Sequence, residues 1–261
     1  ITGLGTAFIS KNWITKIVKF LYYFSLRKTN MVFFQNEDDR ILFLQNKLVS
    51  KSSTNIIPGS GVDLSHFKIS NLQDRKKIYF LLVARMLWDK GIKEYVEAAR
   101  FLKSKYPNTI FNLIGPFEEE RENEISKKQI KLWENEGIIS YLGFVEDVRP
   151  FIEKSHCVVL PSYREGTPKS LLEAAAMARP VIATNTVGCK EVVQDGYNGY
   201  LCENKNTQSL IESIENFLKL SFQEKKLMGL KGREKIVRQF DEKIVIESYL
   251  KIIKMIENNY K

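Results

Sequence analysis

The sequence predicts an α/β domain built on a doubly wound parallel sheet with helices on both faces. Three observations carry that reading. From residue 78 onward, continuous apolar runs of four to seven residues alternate with amphipathic stretches at helical spacing. Strands that are apolar throughout, and not in alternation, belong to sheets buried on both sides. The 261 residues are 44% hydrophobic and 27% charged with 14 Gly and 7 Pro, a globular composition long enough for one large domain or two small ones.

Taken in order, residues 14–26 (ITKIVKFLYYFSL) place Ile14, Ile17, Val18, Leu21 and Ser25 at helical spacing, with Lys16, Lys19, Arg27 and Lys28 as basic flanks. Met31-Val32-Phe33-Phe34 reads as a strand ending at Gln35-Asn36, followed by a polar helix over 37–47 and a short strand, Thr54–Ile57. Pro58-Gly59-Ser60-Gly61 is a loop, and the aperiodic polar stretch 63–77 marks a domain boundary. Strands are then expected over 78–84, 109–114, 138–143, 156–160 and 181–184, with helices near 91–104, 120–136, 148–154 and 168–178. A Gly-rich turn, Asp195–Gly199, leads into helices near 207–219, 222–238 and 241–258. There are no internal repeats. In such a Rossmann-like sheet, ligands sit beyond the carboxyl ends of the strands.

Forty Lys and Arg against 31 Asp and Glu leave a formal charge of +9, which favours anionic partners. Nucleic acid is not among those expected, because the lysines are scattered over helices and not clustered with aromatics on one face. Cys157, Cys189 and Cys202 have no CxxC spacing, and with two histidines in the chain a zinc site is not expected. The thiols read as reduced and buried, in a cytosolic setting. No run approaches the roughly 18 apolar residues needed to span a bilayer. The opening Ile1-Thr2-Gly3-Leu4-Gly5 lacks an initiator Met and a signal-peptide pattern, and reads as the interior of a longer protein.

Three strand ends carry reactive polar groups. Strand 78–84 runs into Arg85-Met86-Leu87-Trp88-Asp89-Lys90-Gly91 and then a helix. A guanidinium and an ammonium at that spacing, beside free helix N–H groups, can reach one phosphate; the other reading is a solvated turn. Strand 156–160 runs into Pro161 and Ser162, then Glu165-Gly166-Thr167-Pro168-Lys169-Ser170-Leu171-Leu172-Glu173. Thr167 reads as the N-cap, Pro168 suits the first turn, and the helix start makes an anion cradle. Glu165 and Glu173 do not suit a hydrolytic pair: eight helical steps span about 12 Å, against roughly 5–9.5 Å for such carboxylates. They suit the two ends of an elongated ligand, one carboxylate accepting both hydroxyls of a ribose, or else are surface helix glutamates. Strand 181–184 runs into Asn185-Thr186-Val187-Gly188-Cys189, another loop-then-helix start. All three lie on one sheet edge, which points to a phosphorylated, sugar-bearing ligand.

Glu165 and Glu173 within EGTPKSLLEAAAMARPVIATNTVGCKEVV resemble the retaining glycosyltransferases of family 4. Arg85 and Lys90, GSGVD at 59–63, LGFVEDV at 142–148 and DGYNGYL at 195–201 follow in that family's order. The match covers residues 54–204, and weaker TGLG and FQNEDD motifs extend it toward the start. The resemblance implies the GT-B fold, two Rossmann-like domains with the active site between them. This chain would then hold the last elements of the amino-terminal, acceptor domain and a linker (1–62), a complete donor-binding domain (63–238) and a carboxy-terminal crossover helix (239–261). Most of the acceptor half is expected to be absent.

By the same resemblance, Arg85 and Lys90 bind the donor diphosphate and Glu165 lies near the donor sugar, the three forming the catalytic set. The backbone of Thr167, Pro168, Lys169, Ser170 and Leu171 cradles the diphosphate, and Glu173 holds the ribose hydroxyls. Phe144 and Val145 line the base, Gly188 approaches the sugar, and Gly61 and Ser162 complete the donor set. No cofactor and no metal are expected. Asp38-Asp39 reads as an ordinary helix start, His156 as structural, and neither it nor His66 is placed to serve as the histidine usual in the missing half. The implied activity moves a sugar from a nucleotide-diphosphate sugar, a UDP-sugar, to an undecaprenyl-linked acceptor in bacterial capsule or lipopolysaccharide synthesis. Helix 14–26 would rest on the cytoplasmic leaflet, or pack against the other half. The alternatives are a non-catalytic nucleotide-sugar binding module, and a starch- or sucrose-synthase type of transferase, which the short motif spacing disfavours.

Overall fold

The computed structural model describes residues 1–2, 13–118 and 123–259. Helix α1 (Trp13–Leu26), β1 (Val32–Phe34), α2 (Glu37–Gln45) and β2 (Thr54–Ile56) come first. Strands β1 and β2 pair in parallel, Val32 opposite Thr54, with α2 as the crossover. The small core they share stacks Phe34 edge-on against Phe43 at 5.1 Å, and Tyr22 of α1 closes it at 5.0 Å from Phe43. The expected helix 14–26 and both short strands are present, within a residue or so at each end. Most of the TGLG motif lies outside the described residues.

Six further strands form one parallel sheet. They are β3 (Ile78–Val83), β4 (Thr109–Ile114), β5 (Ser140–Tyr141), β6 (Cys157–Leu160), β7 (Val181–Thr184) and β8 (Gly199–Cys202), in the order β5-β4-β3-β6-β7-β8. Between and after them run α3 (Ile92–Lys105), α4 (Lys127–Asn135), α5 (Arg149–Lys154), α6 (Lys169–Ala176), α7 (Cys189–Val192), α8 (Thr207–Lys219), α9 (Phe222–Gln239) and α10 (Glu242–Asn259). The period-two alternation of a strand sends Phe80 and Leu82 to one face and Leu81 to the other. The first two join Tyr95, Phe111 and Phe217 in a core beneath α3 and α8; Leu81 joins Val158, Leu171 and Ile236 beneath α6 and α9. Each such fully buried side chain contributes about 1.5–3 kcal/mol, so both faces of β3 are committed.

The boundaries depart from expectation where tertiary context decides. Strand β5 is two residues long, not six: it is an edge strand whose ladder with β4 holds Ser140 and Tyr141, and although Leu142 N–H and Gly143 O still bond to Leu113 and Gly115, Gly143 at φ +78° leaves the extended conformation. Strand β8 is not among the strands the sequence predicts, and only its first residue falls in the expected Gly-rich turn Asp195–Gly199. Its first residue must be glycine, since a Cβ at Gly199 would overlap the Val181 carbonyl of the neighbouring strand. The residues expected to open α4 include 119–122, outside the described set; the helix starts after Ser126, whose hydroxyl accepts the Gln129 N–H at 3.1 Å.

Two buried polar residues tie the sheet to its surroundings. His156, 2% exposed, accepts the Tyr79 N–H on Nδ1 at 3.1 Å, and burial pulls its pKa down to about 4, so it stays neutral and structural. Arg179 is fully buried between α6 and β7 and donates to carbonyls of α5, of Met177 and of the 70–71 segment. At the carboxyl terminus, Tyr249 of α10 lies 4.5 Å from the Phe33 ring of β1, so the last helix crosses back to the first small sheet. No described helix is long and apolar enough to cross a membrane.

Candidate functional site

Strands β3 and β6 are neighbours, yet the chain leaves β3 toward β4 and leaves β6 toward β7, on opposite sides. The loops after the two strands therefore diverge and open a crevice at the carboxyl edge, the position where such sheets bind ligands. The loops are bound to each other at their bases. Tyr163 N–H donates to the Asp89 carbonyl at 2.9 Å, and the Ser162 hydroxyl donates to the same oxygen at 3.2 Å. Gly91, at φ +70°, lies so close to Pro161 that a Cβ would overlap its carbonyl oxygen.

Above this junction, Lys90 Nζ meets Glu165 Oε1 at 2.7 Å, the two side chains 14% and 15% exposed. Residues 75 positions apart in the chain thus form one ion pair in the crevice. Arg85, on the same loop as Lys90, pairs with Glu118 from the segment after β4. Each cation assigned to a phosphate therefore holds a carboxylate in its place, and an incoming diphosphate would have to displace both.

Helix α6 begins at Lys169, with Pro168 as its N-cap residue, not Thr167 as the sequence suggested. Proline offers no capping side chain. Thr167 is instead held from the other side: its hydroxyl donates to the Gln35 carbonyl at 3.4 Å, and Gly59 packs against its Cβ. The side-chain cap is thus given up, and an uncapped helix start is left with N–H groups free for an anion. Among the named cradle residues, Lys169 is exposed and Ser170 half-buried, whereas Leu171 lies in the core with its N–H spent on the Pro168 carbonyl at 3.2 Å. One turn further, burial pushes the Glu173 carboxyl pKa up, and Lys169 opposes the shift. Glu173 accepts no side-chain hydrogen bond among the described residues, leaving a half-buried acceptor for hydroxyl donors.

The loop before α7 stacks on the Glu165 loop. Glu165 N–H donates to Val187 O at 3.2 Å, and a Cβ on Gly188 (φ +89°) would come within 2.6 Å of the Glu165 carbonyl. Phe144 stands 67% exposed beyond β5, while Val145 packs on the core. Gly61 is required elsewhere: it lies against Glu242, where α10 begins. The structure thus brings Lys90, Glu165, Gly188 and the start of α6 together, with Arg85 on the loop that carries Lys90. Ser162, fully buried, and Leu171 belong to the scaffold beneath.

Sequence reasoning missed the partners of these groups. Glu118 carried no motif. Asp38 and Asp39 do open a helix, with Asn36 accepting the Asp39 N–H at 2.8 Å. They also reach across the chain, Asp38 to Lys190 at 2.8 Å and the fully buried Asp39 to Arg164. Acidic residues are ordinary in the first turn of a helix, so the sequence carried no local signal of these contacts.

Residues 65–235 match the family model described as glycosyl transferases group 1. The chain is 30% identical over 275 aligned residues to the N,N'-diacetylbacillosaminyl-diphospho-undecaprenol alpha-1,3-N-acetylgalactosaminyltransferase of Campylobacter jejuni, covering 99% of this chain and 70% of that protein. It is 25% identical to the UDP-Gal:alpha-D-GlcNAc-diphosphoundecaprenol alpha-1,3-galactosyltransferase of Escherichia coli, covering 80% of this chain and 57% of that one. The fold is shared with Anabaena HepE, solved with UDP and glucose, at TM-score 0.75 and 19% identity over 95% of this chain and 66% of HepE. The fold neighbours are glycosyltransferases of the GT-B type. With the crevice at the β3–β6 switch, the Lys90–Glu165 pair and the α6 start all inside the matched region, the chain belongs to the group 1 glycosyl transferases.

Proposed function

We propose that this chain is the donor-binding part of a retaining glycosyltransferase that takes a hexose or N-acetylhexosamine from a UDP-sugar and passes it to an undecaprenyl-linked acceptor in surface polysaccharide synthesis. The observation that carries the reading is the 2.7 Å pairing of Lys90 with Glu165 beside the uncapped start of α6. In this reading the diphosphate displaces the two carboxylates. Lys90, Arg85 and the Lys169 and Ser170 N–H groups then stabilise its growing charge as the glycosidic bond breaks. Glu165, released from Lys90, faces the sugar, and Glu173 accepts the ribose hydroxyls. The acceptor hydroxyl arrives on the face the diphosphate leaves, and the diphosphate takes its proton. No metal and no cofactor enter these steps.

Calorimetric titration with UDP, GDP and ADP tests the assignment. UDP is expected to bind selectively, and Glu173→Ala to weaken it at least tenfold by leaving the ribose without its acceptor. Equal binding of the three nucleotides, or an unaffected Glu173→Ala variant, would remove the support for a UDP-sugar donor.

Peripheral membrane contact on the cytoplasmic side is part of the same proposal. It rests on α1, where Trp13, Phe20, Leu21 and Phe24 are each more than half exposed while Tyr22 faces the small core. Lys19 is turned to Asn46 at 2.7 Å, so the exposed Lys16, Arg27 and Lys28 supply the basic flank. Sedimentation with vesicles containing anionic phospholipid is expected to carry the chain down, and a Trp13→Ser/Phe20→Ser double substitution to abolish this; a wild-type chain that stays in the supernatant ends the membrane role.

A further inference from the structure

We propose that Asp39 is a positioning residue for the sugar end of the donor site, acting through Arg164 on the loop that carries Glu165. The inference rests on the reading of Glu165 as the group facing the donor sugar. Arg164 adjoins Glu165 in the chain, yet its side chain reaches α2. Its guanidinium binds the carboxylate of Asp39, which is fully buried and also accepts from Asn36 Nδ2 at 3.1 Å.

The contact does not stand alone. Asn36 Nδ2 also lies 3.4 Å from the Gly166 carbonyl, and the Thr167 hydroxyl lies 3.4 Å from the Gln35 carbonyl. A Cβ on Gly166 would come within 2.6 Å of Gln35 Oε1. Residue 164 is therefore held by the first turn of α2, and residues 166 and 167 by the short segment joining β1 to α2; Glu165 is the member of the run left to face Lys90. A buried carboxylate paired with one guanidinium strongly disfavours any loop position that separates them, since separation strands a charge away from water. The acidic helix start thus fixes where Glu165 stands while touching nothing that reacts.

Amide hydrogen exchange and titration of the full chain test this together. In Asp39→Asn, the amides of 163–167 are expected to exchange at least tenfold faster while β3, β6 and α6 keep their protection. UDP should bind within about twofold of the unsubstituted chain. The ratio of Kd for UDP-N-acetylgalactosamine to that for UDP should rise about tenfold, because only the sugar end is loosened. Arg164→Lys, which keeps a cation beside Asp39, is expected to stay close to the unsubstituted chain in both readouts. Should Asp39→Asn fail to fold, Arg164→Gln removes the same pair from the more exposed side. Unchanged exchange in 163–167, or faster exchange spread evenly over the sheet, overturns the proposal. Failure of the unsubstituted chain to bind UDP instead overturns the donor reading on which it stands.

Discussion

In the complete enzyme, replacing Lys90 with alanine is expected to lower kcat by about 10²–10³-fold at saturating donor, the effect of removing one preorganised donor from a developing oxyanion. The side chain is 14% exposed and 2.7 Å from Glu165, so in the proposed reading the ammonium already stands in the crevice and exchanges that carboxylate for a phosphate oxygen. The substitution also strands the Glu165 carboxylate, which lies 15% exposed, and part of any loss could come from that. A second variant separates the two. Glu165→Gln in the Lys90→Ala background removes the stranded charge, so thermal stability should recover; Glu165→Gln alone is its kinetic control, and the double variant should fall below that control in kcat. Steady-state kinetics with varied donor decide the matter: kcat unchanged at saturation would exclude a role for Lys90 in the bond-breaking step.

Arg179→Ala is expected to cost about 3–5 kcal/mol of folding stability, read by chemical denaturation. The guanidinium is fully buried and donates to Ile152 O at 3.2 Å, Glu153 O at 2.9 Å, Ser70 O at 2.8 Å, Ser70 Oγ at 2.8 Å and Met177 O at 3.1 Å. Burial pulls its pKa down only to about 10, so the cation persists at neutral pH. Alanine leaves the Ser70 and Glu153 carbonyls unsatisfied around a cavity, while Ile152 O keeps the Ser155 donors. Lysine restores the charge without the planar fork and should recover less than half of the loss. The 63–77 segment, tied down through Ser70, should become the first site of proteolytic cleavage in the variant. A loss below about 1 kcal/mol would mean that water replaces the guanidinium without cost.

What the sequence made legible follows from where the physics is local. Runs such as IYFLLV and CVVL could only be strands buried on both faces, and the structure divides Phe80 from Leu81 and Cys157 from Val158 accordingly. The crevice followed from the topology, and Lys90 and Glu165 from the loops that flank it. What escaped depended on contacts far apart in the chain. Strand β8 reads Gly-Tyr-Leu-Cys and shows its nature only against Val181. Thr167 has the chemistry of an N-cap, yet a carbonyl at Gln35 claims its hydroxyl. Asp39 looked like the first turn of a solvated helix because nothing local announces that Arg164 covers it.

The pairing of β3 with β6 has a consequence for how the protein is made. On the ribosome, β3 gains β4 and then β5 on one side, but its other edge stays bare until residues 157–160 emerge. That edge lies at the centre of the finished sheet, so it carries none of the charges or prolines that guard a permanent edge. The nascent chain is thus most exposed to association with other chains while 84–156 are already synthesised and β6 is not. Closure of that gap also brings Lys90 to Glu165. In the proposed function, a nucleotide that bridges the two loops would capture the chain only after the vulnerable edge is covered, and by mass action hold it there.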